Sequence, residues 1–175
     1  MIQRKQSLFL LVATVLLVLF SLSNIATAQS TASSGEVTAV DGSITRTLVT
    51  DNSTMELNIW SWSVNGEPQI TLHYFAVIVL AATMLCFVTI FFYRKRLVQI
   101  RFAYVIWVLL LGAMVFQGLY YFRMSEACVS QPTYGWVMVP SIANALTPIS
   151  LILVWFAYRG IVADEALVRS ADRLR

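Results

Sequence analysis

Four long apolar stretches without a single Asp, Glu, Lys or Arg divide this chain, at roughly Ser7–Ala28, Ile70–Tyr93, Phe102–Phe122 and Pro140–Tyr158. At about 1.5 Å of rise per residue, each is long enough as a helix to cross a hydrocarbon layer of about 30 Å. Inside lipid a backbone amide without a partner is costly, so such a stretch must close its own hydrogen bonds as a helix. The alternating ten-residue segments of a membrane β-barrel are not visible. Charged residues make up 12% of the chain and apolar ones 58%. That is about half the usual charged share, too little to coat a soluble domain of this length.

The basic residues cluster in every second gap. Arg4 and Lys5 precede the first stretch, Arg94, Lys95, Arg96 and Arg101 separate the second from the third, and Arg159, Arg169, Arg173 and Arg175 follow the fourth. Only Arg46 and Arg123 fall on the other side. This bias predicts that both termini and the middle loop, residues 94–101, are cytoplasmic. It also accounts for the pI near 9.1 through topology and anionic headgroups, so nucleic acid is not an expected partner and the lipid bilayer is.

The first segment supports two readings. Its basic start, apolar core Leu8–Phe20 and small-residue end Ala26-Thr27-Ala28 fit a secretory signal cleaved before Gln29. The same residues fit a retained span. Cys86 in the second stretch and Cys128 in the second outer loop are expected at different depths, which excludes a disulfide between them.

Residues 29–69 form the largest segment outside the stretches. Ser30–Gly35 reads as a polar linker, and Glu36–Val49 as a hairpin, with β-branched runs flanking Asp41-Gly42. Met55–Val64 alternates like a third strand, and Asn65-Gly66 is expected to turn the chain into the second span. Three short strands are marginal in water, so this small β meander is expected to pack on the helix ends, with Trp60 and Trp62 at the bilayer interface. The loop sets five carboxylates against Arg46, giving an acidic outer face.

No ionisable carboxylate, Lys or Arg lies within a stretch, and the chain has a single histidine. Proton relays and ion-coupled carriers usually keep such groups at depth, and a lone histidine excludes a two-histidine metal site. No enzyme, catalytic residue, cofactor or metal site is expected. The remaining candidates are neutral polar groups, His73, Gln117 and Asn144, placed at one level in the outer third of the bilayer. They read as interhelical hydrogen bonds or as a shallow polar cavity open to the outside. Pro148 is expected to bend the fourth helix by freeing the carbonyl of Asn144.

After Arg159-Gly160, apolar residues recur at helical spacing from Ile161 to Leu174, with Arg169, Arg173 and Arg175 toward the end. This reads as a short amphipathic helix whose arginines meet anionic lipid or a cytoplasmic protein. Three segments, Met1-Ile-Gln-Arg-Lys-Gln6, Phe92-Tyr-Arg-Lys-Arg-Leu-Val-Gln-Ile-Arg101 and Asp164-Glu-Ala-Leu-Val-Arg-Ser-Ala-Asp-Arg-Leu-Arg175, together resemble a bacterial family of short four-helix membrane proteins catalogued as a domain of unknown function. The resemblance covers nearly the whole chain and implies an inner-membrane protein that retains its first span. It implies no activity.

The expected fold is thus all-α: one domain over 1–175, a four-transmembrane-helix bundle with spans at 7–28, 70–93, 102–122 and 140–158. Residues 29–69 and 123–139 form the outer loops, the first carrying the small β meander, and the tail 159–175 forms a C-terminal amphipathic helix. The expected role is structural, scaffolding or assembly. The alternative is a small transporter or channel, and a continuous polar lining through the bundle would separate the two.

Overall fold

A computed structural model describes residues 3–40, 43–92, 95–130 and 136–173. Four helices and five strands follow in the order α1 (Gln3–Leu22), β1 (Ala26–Val40), β2 (Ser43–Leu57), β3 (Ser61–Val64), β4 (Glu67–Thr71), α2 (His73–Phe91), α3 (Arg96–Ser130), β5 (Trp136–Pro140), a 3-10 turn (Ile142–Ala145) and α4 (Leu146–Arg173). Within the bundle α1 packs on α2 and α4, and α3 packs on the same two. Aromatic pairs fix the directions. Phe20 at the end of α1 meets Phe75 at the start of α2 at 6.3 Å, and Phe75 meets Tyr120 late in α3 at 6.1 Å. Trp107, early in α3, meets Trp155 of α4 at 5.7 Å. Neighbouring helices therefore run antiparallel.

Three helices, in the segments His73–Phe91, Leu97–Val129 and Ile142–Val168, are long and apolar enough to cross a membrane. Large apolar side chains such as Met84, Val115 and Phe156 stand more than half exposed on their outer faces. A soluble protein rarely exposes such continuous apolar surface.

All strand pairings are antiparallel, and the sheet order is β4-β3-β2-β1-β5. Its inner face supplies Ala26, Ala28, Met55 and Leu57 to a core shared with Phe20, Phe75, Met124 and Ala143 from the helix ends. The sheet is thereby held across one end of the bundle. A second apolar cluster, including Leu10, Leu17, Ala82, Ile106 and Val154, fills the bundle toward the other end.

The fold corrects the all-α expectation in four places. First, the apolar part of α1 runs only from Gln6 to Leu22, about 26 Å, short of the layer it was expected to cross. The hydroxyls of Ser21 and Ser23 donate to the carbonyls of Val18 and Leu19 at 2.7 and 2.9 Å, closing off the helix end. Ile25 then donates its backbone N–H to Leu57 at 2.7 Å and enters the sheet. The small residues Ala26 and Ala28 and the adjacent polar linker become β1, because their alternate side chains suit a half-buried strand.

Second, the meander is a five-stranded sheet, since residues 136–140 of the expected second outer loop join it as β5. The expected strand Met55–Val64 is broken at Asn58, whose side-chain oxygen accepts from the N–H groups of Trp60 and Ser61 at 2.9 and 2.8 Å. Asn65 (φ 51) and Gly66 (φ 81) do turn the chain, but into β4 rather than a span. Positive φ at both positions is the type I′ geometry that joins tight hairpins. The Asp41-Gly42 turn lies outside the described residues.

Third, α3 starts at Arg96 and ends at Ser130, so it absorbs most of the expected cytoplasmic loop and part of the outer one. Fourth, the amphipathic tail helix is continuous with α4 through Gly160. A Cβ at Gly160 would lie 3.0 Å from Cγ of Gln6, so glycine here admits the side chain of α1. Gln6 then donates to Asp164, one turn on, at 2.9 Å.

Candidate functional site

Two places near the sheet end bring polar groups and space together. In the first, the absent N–H of Pro148 leaves the carbonyl of Asn144, four residues back, without its helical donor. Pro148 is the third residue of α4, where this causes no interior kink. Gln117 supplies the missing donor: its Nε2 lies 3.1 Å from the Asn144 carbonyl oxygen and also donates to Asn144 Oδ1. The expected bend is thus replaced by a cross-helix bond.

Met114, Gln117, Gly118, Tyr121, Asn144 and Pro148 line a cavity of about 290 Å³ here. Gln117 Oε1 is buried without a hydrogen-bond partner, and Asn144 Oδ1 stands beside it on the lining. The cavity therefore offers acceptors to a small neutral donor, water included. It offers no charge.

His73 does not join this pair. It is the exposed first residue of α2 and shares no hydrogen bond with Gln117 or Asn144. The structure thus links two members of the expected polar layer and leaves the third at the surface. Of the tail arginines, Arg169 and Arg173 belong to the helical backbone of α4, and Arg175 lies outside the described residues.

The second place was not anticipated from sequence. Between β3, β4 and the outer end of α3 lie two adjoining cavities of about 490 and 580 Å³, sharing Trp62, Ile70 and Ala127 as walls. Tyr120, Arg123 and Glu126 of α3 bound the first. Met55, Val64 and Trp136 help bound the second. The indole Nε1 of Trp62 is buried and has no hydrogen-bond partner. Arg123 is exposed at the rim.

A readable signal did exist. Arg123 ends an uncharged run that begins after Arg101, and the Trp60/Trp62 pair marks an interface. What sequence could not supply was the return of β3 and β4 over α3, which converts an anchor into a groove.

A family model described as a domain of unknown function (DUF4293) matches residues 2–174, and the chain belongs to that family. No curated protein matches it.

Proposed function

We propose that this is a structural or assembly protein of a bacterial inner membrane that presents its sheet to a protein partner outside the bilayer. The β1–β2 hairpin carries the reading. Each strand runs 15 residues, yet β5 pairs with β1 only over Ala26–Ser30 and β3 with β2 only over Met55–Leu57. Among the described residues, Thr31–Val40 and Ser43–Asn52 pair only with each other. Those rungs form a ribbon about 33 Å long at about 3.3 Å per residue. A two-stranded ribbon is marginal by itself, and its edges offer unpaired N–H and C=O groups to another chain.

The interior supports assembly over a small transporter or channel. Leu10, Ala13, Leu17, Ala82, Cys86, Ile106, Leu110, Val154 and Ala157 are fully buried together. Thr83, Thr89 and Ser150 donate their hydroxyls to carbonyls four residues back in their own helices, which leaves them little to offer a permeating solute. The end bearing exposed Lys95, Arg101 and Arg159 faces the cytoplasm by the bias of basic residues. The start of α1 and the end of α4 lie on that side, and the end of α4 is a second contact, for a cytoplasmic protein.

Amide hydrogen exchange in native membranes, compared with purified protein in detergent, tests the reading. A covered ribbon exchanges at least about tenfold more slowly over 31–40 and 43–52 in native membranes. Equally fast exchange in both preparations would contradict it.

A further inference from the structure

We propose that the groove between β3, β4 and α3 is a binding site for an anionic phospholipid drawn from the surrounding bilayer. Depth is the first ground. Arg101 and Arg123 flank an uncharged helical run, and 22 steps at about 1.5 Å place them about 33 Å apart, close to the hydrocarbon thickness. With Arg101 at one interface, Arg123 stands at the phosphate level of the other. It is exposed, and no ion pair engages it among the described residues, so its guanidinium fork is free for a phosphate.

The second ground is the groove's chemistry. Its walls are mainly apolar, with Ile70 48% exposed and Tyr120 beside it, which suits the glycerol and upper acyl region of a lipid. The buried Nε1–H of Trp62 has no acceptor in the protein. A buried donor of this kind is costly unless something accepts from it, and a lipid ester carbonyl can. The two adjoining volumes fall within the range of small-molecule sites. Phosphate at Arg123, ester at Trp62 and hydrocarbon against Ile70 and Tyr120 match the groove's exposed cation, its buried donor and its apolar wall, with Glu126 the carboxylate on the lining.

A peptide segment would satisfy the apolar wall and the indole donor equally, but not the depth and charge of Arg123, so lipid is favoured. The site is independent of the assembly reading above.

Native mass spectrometry of the full chain in mild detergent, titrated with phosphatidylglycerol or phosphatidylcholine, tests the proposal. One phosphatidylglycerol should be retained in preference to phosphatidylcholine. Arg123→Gln should weaken that retention by about tenfold or more, and Trp62→Phe by about threefold to tenfold, as expected for a charged and a neutral hydrogen bond. Arg123→Lys should recover part of the loss. Arg101→Gln, at the opposite interface, should leave retention unchanged, and helix content by circular dichroism should be the same in all variants. Equal retention of both lipids, or equal losses from Arg101→Gln and Arg123→Gln, would overturn the proposal. So would full retention by Trp62→Phe.

Discussion

The half of the bundle near the basic end and the half beneath the sheet use the same four helices but hold together differently. Near the basic end the fully buried contacts are made by small or aliphatic side chains, Ala13, Ala82, Cys86, Ala157 and their leucine neighbours, with the Trp107–Trp155 ring pair and the Gln6–Asp164 bond at their margin. Buried hydroxyls there bond within their own helix, as Thr83 does to Val79 at 2.8 Å. Beneath the sheet the contacts are made by large rings, Phe20 and Phe75, and by bonds between elements, such as Gln117 Nε2 donating to the Asn144 carbonyl at 3.1 Å. Helices in lipid gain little from apolar burial and associate by close packing. A sheet docked on helix ends at the water boundary still gains from burying area. The two halves therefore answer to different forces.

The comparison can be broken by mutation. The largest effect is expected for Phe75→Ala, which empties the junction between Phe20 and Tyr120 and should cost about 3–5 kcal/mol. Denaturant unfolding in mixed micelles should show it, with the sheet lost first. Ala82→Leu attacks the other half by overpacking and should cost about 1–3 kcal/mol, without exposing the sheet to protease. If Ala82→Leu loosened the sheet as much as Phe75→Ala does, the two halves would not be separable.

Polar bonds sharpen the contrast further. Gln117→Leu loses both bonds to Asn144 and should cost about 1–2 kcal/mol. Asn144→Leu keeps its backbone carbonyl as an acceptor and should cost about half as much, with the double variant less than the sum. Thr83→Val should cost less than about 0.5 kcal/mol, because its hydroxyl bonds only to a carbonyl that already serves the helix. A larger loss at Thr83 would reveal a cross-helix role for that hydroxyl.

Hydropathy and secondary structure share a boundary along some elements of this chain and part along others. The apolar stretch Ile70–Tyr93 contains α2, His73–Phe91, and overshoots it by three residues at the start, two of them in β4, and by two at the end. The charge at Arg101 ends the apolar run but not the helix, since arginine is a sound helix former and α3 runs through it from its start at Arg96. The tail of the first apolar stretch looked helical because Ile25, Ala26 and Ala28 are apolar. Its strand identity came from pairing with β2 and β5, contacts that lie more than 25 residues away. Pro148 did free a carbonyl, and Gln117 was in range to take it. The groove needed three elements, β3, β4 and α3, to converge, so no local pattern could announce it.

The central claim is that the outer faces of α2, α3 and α4 lie in lipid while the sheet lies in water. Spin labels at Met84→Cys, Val115→Cys, Phe156→Cys and Glu67→Cys, with Cys86 and Cys128 replaced by Ala, test it directly in reconstituted bilayers. The first three sites should show high oxygen and low nickel-chelate accessibility, with Glu67→Cys the reverse. Nickel-chelate access at Met84, Val115 and Phe156 equal to that at Glu67 would contradict the account.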